Sequence, residues 1–372
     1  MNPRYKKIYC CTPVAFAANE HFFIRDTGLI SRTLQSMGIE SKCIMPLPYH
    51  DSDQREGIIR TEYKNLRSVS WWKSLGIDAV ILYSWGAPKY IPIARAIKKA
   101  GIKLMIHMDT SGDFEGWKWP HMNKLSKTYR YLKIQIQDCL RSLHLKYADI
   151  ITAGAPVLTH ISNRRYFGKW IEERGFPMSN PISPHCKYNG AKKLDIILCI
   201  GRWNDKTQKR PEMMMDTLSH YYQKGGQAIT KIYGTITDEI RQWHSTLSEK
   251  IAQKIHLIGY VNNSELIGEY SSAKIILCPS RHEGSHIVSA EALCCGCSVV
   301  VSNLPAPLRT VHWYTTKNSG TISQKDTSES LAEAIIDELN AWAQGKRNAE
   351  DIAKAWHPYF HADKVLNQIF SH

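Results

Sequence analysis

Two glutamates stand eight positions apart, Glu283 and Glu291, in the segment SRHEGSHIVSAEALCCGC (280–297). Glu283 follows an apolar run typical of a buried strand, and Glu291 comes about one turn into the helix predicted after it. The turn 284–286 between them would present backbone N–H groups at a helix N-terminus, where an anion is favoured. Carboxylates accept hydrogen bonds from hydroxyl groups. The pattern therefore predicts a pocket for a ligand with both phosphates and hydroxyls, such as a nucleotide sugar.

The same segment allows two other interpretations. Cys294, Cys295 and Cys297 are close enough in sequence to suggest a metal site, but a structural zinc site needs about four ligands, commonly in spaced pairs, and no second pair is present. We therefore predict small buried thiols that pack a helix end against a sheet, and no metal. Glu291 could instead be an acidic residue favoured by the helix dipole. A capping box is excluded because Val288 stands three residues before it.

These residues must be positioned by a fold in which short apolar runs alternate with helical patterns along the chain. Runs of β-branched residues without polar alternation indicate strands covered on both faces. Two α/β domains with parallel sheets follow, joined by a linker at 173–193 that contains three prolines and two glycines. We predict strands at 7–11, 41–45, 78–84, 103–108, 149–154, 194–201, 229–234, 255–259, 274–280 and 298–302, with helices between them, notably at 26–37, 89–100, 212–225 and 238–250.

Composition and motifs exclude several classes of protein. The 372 residues are 43% hydrophobic and 22% charged, which is typical of a globular chain long enough for two domains. There is no apolar run long enough for a spanning helix, and the N-terminal segment lacks the features of a secretory signal. Cysteines inside apolar runs, such as Cys199 and Cys278, favour reduced thiols and a cytoplasmic location. Neither a GxGxxG turn nor a Walker motif occurs, which disfavours dehydrogenases and P-loop enzymes.

The segment CPSRHEGSHIVSAEALCCGCSVVVSNLPA (278–306) resembles the E-x7-E signature of the retaining GT-B glycosyltransferases of family 4, the glycosyl transferases group 1. The segment ILCIGRWNDKTQKRPEMMM (197–215) is similar to the family's glycine–arginine motif with a following lysine. IHLIGYVNNSELIGEYSSAKIILCPS (255–280) resembles the stretch that precedes the signature. LMIHMD (104–109) and YADIITAG (147–154) resemble two first-domain strands. The likeness covers most of the chain and is strongest from 194 to 305.

This resemblance implies an α/β GT-B fold, with two Rossmann-like domains whose parallel sheets face each other across a cleft. Residues 1–180, with 352–372 crossing back, would form an acceptor-binding domain, and 188–350 a domain that binds the nucleotide sugar. The resemblance also implies that Glu291 binds the nucleotide ribose and that Glu283 lies beside the donor sugar. The backbone along the donor phosphate and sugar hydroxyls would be that of Gly284, Ser285, His286 and Ile287.

For the diphosphate, the resemblance implies Arg202 together with a lysine, for which Lys209 and Lys206 compete. Lys209 is preferred because it just precedes a predicted helix. His107 matches the first-domain histidine that approaches the transferred sugar. In the family, the reaction retains the anomeric configuration, and the leaving phosphate is thought to help deprotonate the acceptor. Cationic side chains and helix N–H groups offset the phosphate charge without a divalent ion, so we predict no metal and no cofactor.

The sequence departs from the family pattern in three places. One is the family's H-D dipeptide, which reads H-M-D here at residues 107–109. His286 stands where glycine or proline is common in the family. Family members often carry a Gly-Gly pair near the donor phosphates after the first strand, whereas residues 19–26 here read NEHFFIRD, with no glycine before Gly28. The bulky side chains of His21 and Phe22 in that place argue against close phosphate contact by the first domain.

Positive charge is concentrated in the first half of the chain. Residues 1–185 carry 27 Lys+Arg and 15 Asp+Glu, whereas 186–372 carry 21 and 19, so the excess is +12 against +2. We therefore expect an anionic partner for the first half. Within it, residues 117–147 interleave seven Lys and Arg with aromatic residues and one acid. This pattern indicates either a helix that docks on an anionic membrane surface or an ordinary amphipathic helix that covers the sheet.

Together these observations predict a retaining, metal-independent glycosyltransferase that moves a hexose from a UDP- or GDP-linked sugar to a glycan or lipid-linked acceptor. We place it in cell-surface polysaccharide or lipopolysaccharide synthesis, in the cytoplasm or on the inner face of the plasma membrane, without a nucleic-acid partner. One alternative is a nucleotide-sugar epimerase or phosphorylase on the same fold, against which the arginine–lysine and E-x7-E set argues. The other is a non-catalytic basic protein that binds glycan or nucleic acid, which would not need paired carboxylates at a strand end.

Overall fold

The chain forms two compact units, each built around one parallel sheet. Unit 1 comprises residues 1–184 and 359–372, and unit 2 comprises 185–358. The computed structural model describes residues 5–84, 89–109, 142–154, 168–281, 283, 285–304 and 310–370, together with isolated positions between 124 and 158.

Unit 1 contains seven parallel strands. They are β1 Ile8–Cys11, β2 Cys43–Pro46, β3 Ile58–Thr61, β4 Ala79–Ser84, β5 Lys103–Met108, β6 Ile150–Ala153 and β7 Gly175–Pro177. Their order in the sheet is β3-β2-β1-β4-β5-β6-β7. Every residue of β1, β2 and β4 is buried, as expected for strands covered on both faces. Because the strand order reverses between β1 and β4, a crevice is expected at their carboxyl ends.

Helices pack around this sheet, and the end of the chain joins them. Val365, Leu366 and Ile369 of the C-terminal helix lie in the same core cluster as Ile30 and Leu34, so this helix belongs to unit 1. The α-helices whose bounds lie among the described residues of the unit are Glu20–Phe23, Asp26–Ser36, Val69–Ser74, Tyr90–Lys99, Gly168–Arg174 and Ala362–Phe370, with 3-10 turns at Arg55–Gly57, Asn65–Arg67 and Leu143–Tyr147.

Unit 2 repeats the same arrangement with six parallel strands. They are β8 Leu194–Gly201, β9 Ile229–Gly234, β10 Ile255–Gly259, β11 Ala273–Cys278, β12 Ser298–Val301 and β13 Gly320–Ile322. The order is β10-β9-β8-β11-β12-β13, so the reversal lies between β8 and β11. In chain-order terms both sheets contain the 3-2-1-4-5-6 order of dinucleotide-binding folds.

The helices of unit 2 begin at residues suited to helix starts. Thr237 and Thr327 accept hydrogen bonds from backbone N–H groups of the helices that follow them, and Pro211 occupies the first turn of another. None of the helices in the described part of the chain combines the length and apolarity needed to cross a bilayer. The helices are Pro211–Gln223, Asp238–Thr246, Glu249–Ala252, Asn263–Ser272, Ile287–Cys294, Thr310–Tyr314, Ser328–Ala343 and Ala349–Phe360, the last of which contains the unit boundary.

The α/β fold class with two parallel sheets is confirmed, and each of the ten predicted strands is present. Three short strands, β3, β7 and β13, are additional. The interpretation of 173–193 as linker is wrong for its first part, because β7 pairs with β6 at the edge of the sheet, where glycine and proline are tolerated. The single helix predicted at 238–250 is two helices, interrupted at 247–248.

Candidate active site

The carboxyl edge of the unit 2 sheet holds most of the predicted donor-binding residues. β8 and β11 are neighbours at the reversal of strand order. Arg202 immediately follows β8, and Glu283 lies in the loop after β11. These two loops occupy the position where open α/β sheets bind their ligands.

Lys209 and Glu283 form a buried ion pair at this edge. Lys209 Nζ lies 2.6 Å from Glu283 Oε1, and the two side chains are 11% and 5% exposed. Gln208 Nε2 donates to the other carboxylate oxygen at 3.1 Å. An ammonium has three N–H donors. Since Glu283 is the one hydrogen-bond partner of Lys209 Nζ in the described part of the chain, two donors remain for a ligand.

The loop that carries Lys209 is held by its own hydrogen bonds. Asp205 accepts from the backbone N–H of Gln208 through its carboxylate at 3.0 Å and from that of Lys209 through its carbonyl at 2.9 Å. The carbonyl of Gln208 accepts from the N–H of Arg281 at 2.8 Å, which ties this loop to the one after β11. The backbone therefore fixes the distance between Lys209 and Glu283.

Arg210 ends this loop in a strained conformation. Its φ of 54° is the one positive φ of a non-glycine residue in the described ranges, and such a conformation costs about 1–2 kcal/mol. Its guanidinium pairs with Asp326 at 2.7 Å, which holds the turn closed. Strain of this kind clusters at functional sites, and here it lies beside Lys209 at the start of a helix.

Glu283 is a carboxylate at neutral pH. Burial by itself would raise its pKa, but the charge of Lys209 and hydrogen bonds from Lys209 and Ser280 lower the pKa to about 2. Such a group accepts hydrogen bonds and has no proton to give, so it cannot serve as a general acid.

His286 packs against the same carboxylate. Its Nε2 lies 3.7 Å from Glu283 Oε1, and its Nδ1 lies 2.6 Å from the hydroxyl oxygen of Ser289. Burial lowers the pKa of His286 to about 4, with the charge of Lys209 acting in the same direction and that of Glu283 opposing it. The imidazole is therefore neutral at pH 7 and does not compete with Lys209 for the charge of Glu283.

The turn before the helix Ile287–Cys294 offers fewer free N–H groups than the sequence predicts. The N–H of His286 donates to the hydroxyl of Tyr314 at 3.0 Å, and that of Ile287 donates to the carbonyl of Ser285 at 3.0 Å. The expectation of free N–H groups is thus wrong for these two residues, because Tyr314 comes from a later helix that the local pattern does not reveal. Gly284 lies outside the described residues.

Arg202 and Lys206 differ in their relation to Glu283. Arg202 is exposed, and its Nη2 lies 3.5 Å from Gln208 Oε1, so Gln208 links Arg202 to Glu283. Lys206 is also exposed, but it pairs with Glu239 and lies 3.8 Å from Glu212. The structure therefore brings Lys209, and not Lys206, to Glu283.

Glu291 lies inside the helix Ile287–Cys294 and is buried. The hydroxyl of Tyr270, which is itself fully buried, donates to Glu291 Oε2 at 3.0 Å. Burial, together with the nearby charge of Glu291, holds the pKa of Tyr270 well above its usual range, so its phenol keeps the proton that it donates. Tyr270 therefore fixes the orientation of this carboxylate.

The cysteines behind the helix are buried thiols. Cys294, Cys295 and Cys297 are each completely buried. Burial raises the pKa of Cys295 and of Cys297 to about 12 and holds that of Cys294 above its usual range. Buried thiols of this kind suit packing of the helix end.

His107 lies on β5 in unit 1, within a hydrogen-bond network. Its Nδ1 is 3.0 Å from Thr152 Oγ1, and its Nε2 is 2.8 Å from Asn180 Oδ1. Asn180 Nδ2 donates to Asp109 at 2.8 Å, and Tyr83 donates to Asn180 Oδ1 at 2.6 Å. Since that oxygen can only accept, His107 Nε2 carries a proton. Burial lowers the pKa of His107, which favours the neutral ring with Nδ1 accepting from Thr152.

Several residues of these arrangements were missed by sequence reasoning. They act through long-range contacts, and no local motif marks them. Only Gln208 carries a signal, since it adjoins the preferred lysine. The missed residues are Gln208, Tyr270, Tyr314 and Asn180.

Comparison with known families decides the class of unit 2. Residues 195–341 match the family described as Glycosyl transferases group 1. Unit 2 is therefore similar to the glycosyl transferases group 1 over most of its length. The matched residues include Arg202, Lys209, Glu283 and Glu291. No curated protein sequence matches the chain.

Solved structures extend the likeness to the whole chain. Lipopolysaccharide outer core galactosyltransferase WaaB is 16% identical with a TM-score of 0.66, covering 98% of this chain and 99% of that one. Sucrose-phosphate synthase from Thermosynechococcus elongatus is 14% identical with a TM-score of 0.63, covering 98% of both. Anabaena HepE, in complex with UDP and glucose, is 12% identical with a TM-score of 0.63, covering 99% and 100%. At these identities the likeness establishes the GT-B fold.

Proposed function

We propose that this chain is a retaining, metal-independent glycosyltransferase that moves a hexose from a UDP- or GDP-linked sugar to a glycan or lipid-linked acceptor. One observation carries the proposal. Lys209 directly, and Arg202 through Gln208, converge on the buried carboxylate of Glu283 at the carboxyl edge of β8 and β11. Cations and a carboxylate in one hydrogen-bonded chain suit a diphosphate joined to a sugar. The glycosyl transferases group 1 match supports this class of reaction.

The two cations would stabilise the leaving diphosphate. Negative charge builds on the β-phosphate as the glycosidic bond breaks, and preorganised donors there lower the barrier. Lys209 is held by Glu283 before substrate arrives, so little reorganisation is needed. Arg202 is exposed and can close onto the phosphate from the solvent side. Charge-assisted bonds from these groups would replace a divalent ion.

The carboxylates would bind the hydroxyl groups of the donor. Glu283, ionised at neutral pH, would accept from a sugar hydroxyl and keep Lys209 in place. Glu291, oriented by Tyr270, would accept from the ribose hydroxyls. The backbone from Gly284 through Ser285 and His286 to Ile287 would lie along the phosphate and sugar, with Tyr314 releasing the N–H of His286 when the ligand binds.

For unit 1 we propose acceptor binding, with His107 in a positioning role. Both ring nitrogens of His107 have partners within the unit, so its effect on the transferred sugar would pass through Asn180 and Asp109. We expect His107→Asn to raise the KM for the acceptor more than it lowers kcat. A fall in kcat alone would instead assign His107 a direct contact with the reacting sugar.

A surface of unit 1 supports docking on an anionic membrane from the cytoplasmic side. Most of the basic segment 117–147 lies outside the described residues, but positions 125, 129, 132 and 136 are described and helical. Positions spaced by four, three and four residues recur on one face at helical periodicity. These positions hold exposed apolar side chains, namely Leu125, Tyr129, Leu132 and Ile136. An exposed apolar face in a basic helix is typical of interfacial binding.

Donor turnover tests the proposed reaction. Hydrolysis of a panel of UDP- and GDP-linked sugars is measured for the wild type and for Arg202→Gln, which alters an exposed side chain and should fold. We expect one donor to be hydrolysed with retention, and Arg202→Gln to lower kcat/KM by about tenfold to a hundredfold. Release of an epimerised nucleotide sugar would indicate an epimerase. If no donor is hydrolysed and the chain retards duplex nucleic acid in a gel, it would be a nucleic-acid-binding protein.

Vesicle flotation at low salt tests the membrane part separately. The wild type is expected to float with anionic vesicles and not with neutral ones. Leu132→Ser with Ile136→Ser should lower the bound fraction about tenfold, because two apolar side chains leave the interface. Equal binding to both kinds of vesicle would remove the membrane from the proposal and leave the transferase untouched.

A further inference from the structure

Unit 1 has a cavity of about 330 Å³ at the carboxyl edge of its own sheet. Thr12, which follows β1, and Tyr83, near the end of β4, both line it, so the cavity lies where the strand order reverses. Open α/β sheets bind ligands at this place. The other lining residues are Phe16, Ala17, Asn19, His21, Phe22, Arg25 and Thr27.

One cationic side chain, that of Arg25, lines this cavity beside the imidazole of His21. The side chain of Arg25 makes no hydrogen bond or ion pair with any residue that the structure describes, and its Nε is buried without a partner. Burial lowers the pKa of His21, and the nearby charge of Arg25 lowers it further. A guanidinium is always charged in proteins. None of the described lining residues is acidic.

The nearby acids that have described side chains are engaged elsewhere. Glu20 pairs with Arg32 at 2.6 Å, and Asp53 forms a completely buried pair with Arg60 at 2.9 Å. Neither carboxylate is available to neutralise Arg25. An unpaired, partly buried cation is costly unless an anion joins it.

The wall of the cavity is tightly packed. A Cβ at Gly28 would come within 2.3 Å of the carbonyl oxygen of Phe22, so only glycine lets the segment 19–25 lie on the helix Asp26–Ser36. Asn19 caps the short helix Glu20–Phe23 by accepting from the N–H of Phe22 at 3.2 Å. The hydroxyl oxygens of Thr12 and Thr27 lie 2.8 Å apart beyond the carboxyl end of β1, so one of the two can donate to a bound oxygen.

We infer that this cavity binds a phosphate ester, with the phosphate on Arg25 and His21 and an apolar group against Phe16 and Phe22. That this phosphate ester is part of the acceptor rests on the proposed function. The presence of an anion site in the cavity does not depend on the proposed function. The +12 excess of residues 1–185 fits an anionic ligand. Arg25 would supply the charge and His21 a ring N–H donor to the bound phosphate.

The test uses the full chain with the unit 2 site disabled by Arg202→Gln and Lys209→Met, so that its cations do not contribute. Calorimetry then measures three probes: phenyl phosphate, benzoate and benzyl alcohol. We expect phenyl phosphate to bind and benzyl alcohol not to bind. Adding Arg25→Gln should weaken phenyl phosphate by about tenfold to a hundredfold, since a charge-assisted bond is lost. His21→Asn should weaken it severalfold.

Each other outcome overturns part of the inference. Equal affinity for phenyl phosphate and benzyl alcohol would make the cavity an apolar pocket. Unchanged affinity in Arg25→Gln would place the anion elsewhere, and tighter binding of benzoate would assign a carboxylate. Failure of hydrolysis in the wild type would count against the proposed function only.

Discussion

The two units repeat one strand order, yet the carboxyl edges at their reversal points are filled in opposite ways. In unit 2 the cation is paired within the protein, because Lys209 Nζ lies 2.6 Å from Glu283 Oε1 and both side chains are buried. In unit 1 the cation Arg25 lines an open cavity without an anionic partner among the described residues. The carboxyl edge at the reversal of strand order thus holds a preorganised ion pair in unit 2 and an unpaired cation in unit 1.

This difference separates two ways of holding an anion. A lysine anchored by a carboxylate is fixed before the ligand arrives and can respond to charge that develops during a reaction. An unpaired arginine gains most of its stabilisation from the ligand itself, which favours binding over chemistry. On the proposed function, the comparison predicts catalysis at the edge of unit 2 and recognition at the edge of unit 1, and each prediction below tests one side of it.

The largest effect is expected for the lysine of the pair. Lys209→Met should lower kcat/KM for donor hydrolysis by about a hundredfold to a thousandfold, because a donor to the leaving phosphate is lost. Lys206→Met in the same loop is the matched control and should change it little, since exposed ion pairs contribute at most about 1 kcal/mol. Steady-state kinetics of the two variants decides. Similar losses for both would mean that Lys209 has no special position.

Removing the carboxylate should destabilise the fold of unit 2. Glu283→Gln leaves the ammonium of Lys209 buried without its counter-charge, which costs about 3 kcal/mol. The double variant Lys209→Met with Glu283→Gln should recover part of that loss. Denaturant unfolding at pH 7 measures both. Additive losses in the double variant would show that the two side chains are not coupled.

Acid should weaken unit 2 through His286. In the folded chain the pKa of His286 is lowered from 6.5 to about 4. As pH falls from 6.5 to 4, the unfolded chain takes up a proton that the folded chain refuses, so the free energy of unfolding decreases, by about 2–3 kcal/mol for this group. His286→Asn should flatten the pH dependence in this interval. An unchanged slope would mean that His286 titrates alike in both states.

The smallest effect concerns the wall of the unit 1 cavity. Gly28→Ala places a methyl group against the carbonyl of Phe22 and should destabilise unit 1 by about 1–2 kcal/mol. Gly38→Ala is a contrasting control, since no atom lies within 4 Å of its Cβ position and its cost comes from a φ of 81° alone. Thermal unfolding with and without phenyl phosphate measures both. If only Gly28→Ala abolishes stabilisation by the probe, the wall shapes the site.

The sequence predicts the fold well where a long apolar run indicates a strand. All ten predicted strands exist. Strands β7 and β13 are not predicted, because each has only three residues and is too short to show a hydrophobic pattern. The functional residues found from sequence are those within a motif, such as Lys209 and Glu283. Their partners come from distant positions.

Gln208 is not predicted although it adjoins Lys209, and Tyr314 lies 28 residues after His286. Arg25 is a further residue whose importance the local sequence does not reveal. Residues 19–26 were noted for the glycines that they lack, and only the folded chain shows that Arg25 has no partner there.

Nucleotide affinity tests the central claim, that Lys209 and Arg202 at the unit 2 edge hold a nucleoside diphosphate. Calorimetry should find that UDP or GDP binds the wild type, that Lys206→Met binds it equally, and that Lys209→Met and Arg202→Gln each bind at least about tenfold more weakly. If neither nucleotide binds, or if the Lys206 and Lys209 variants lose affinity alike, the account is contradicted.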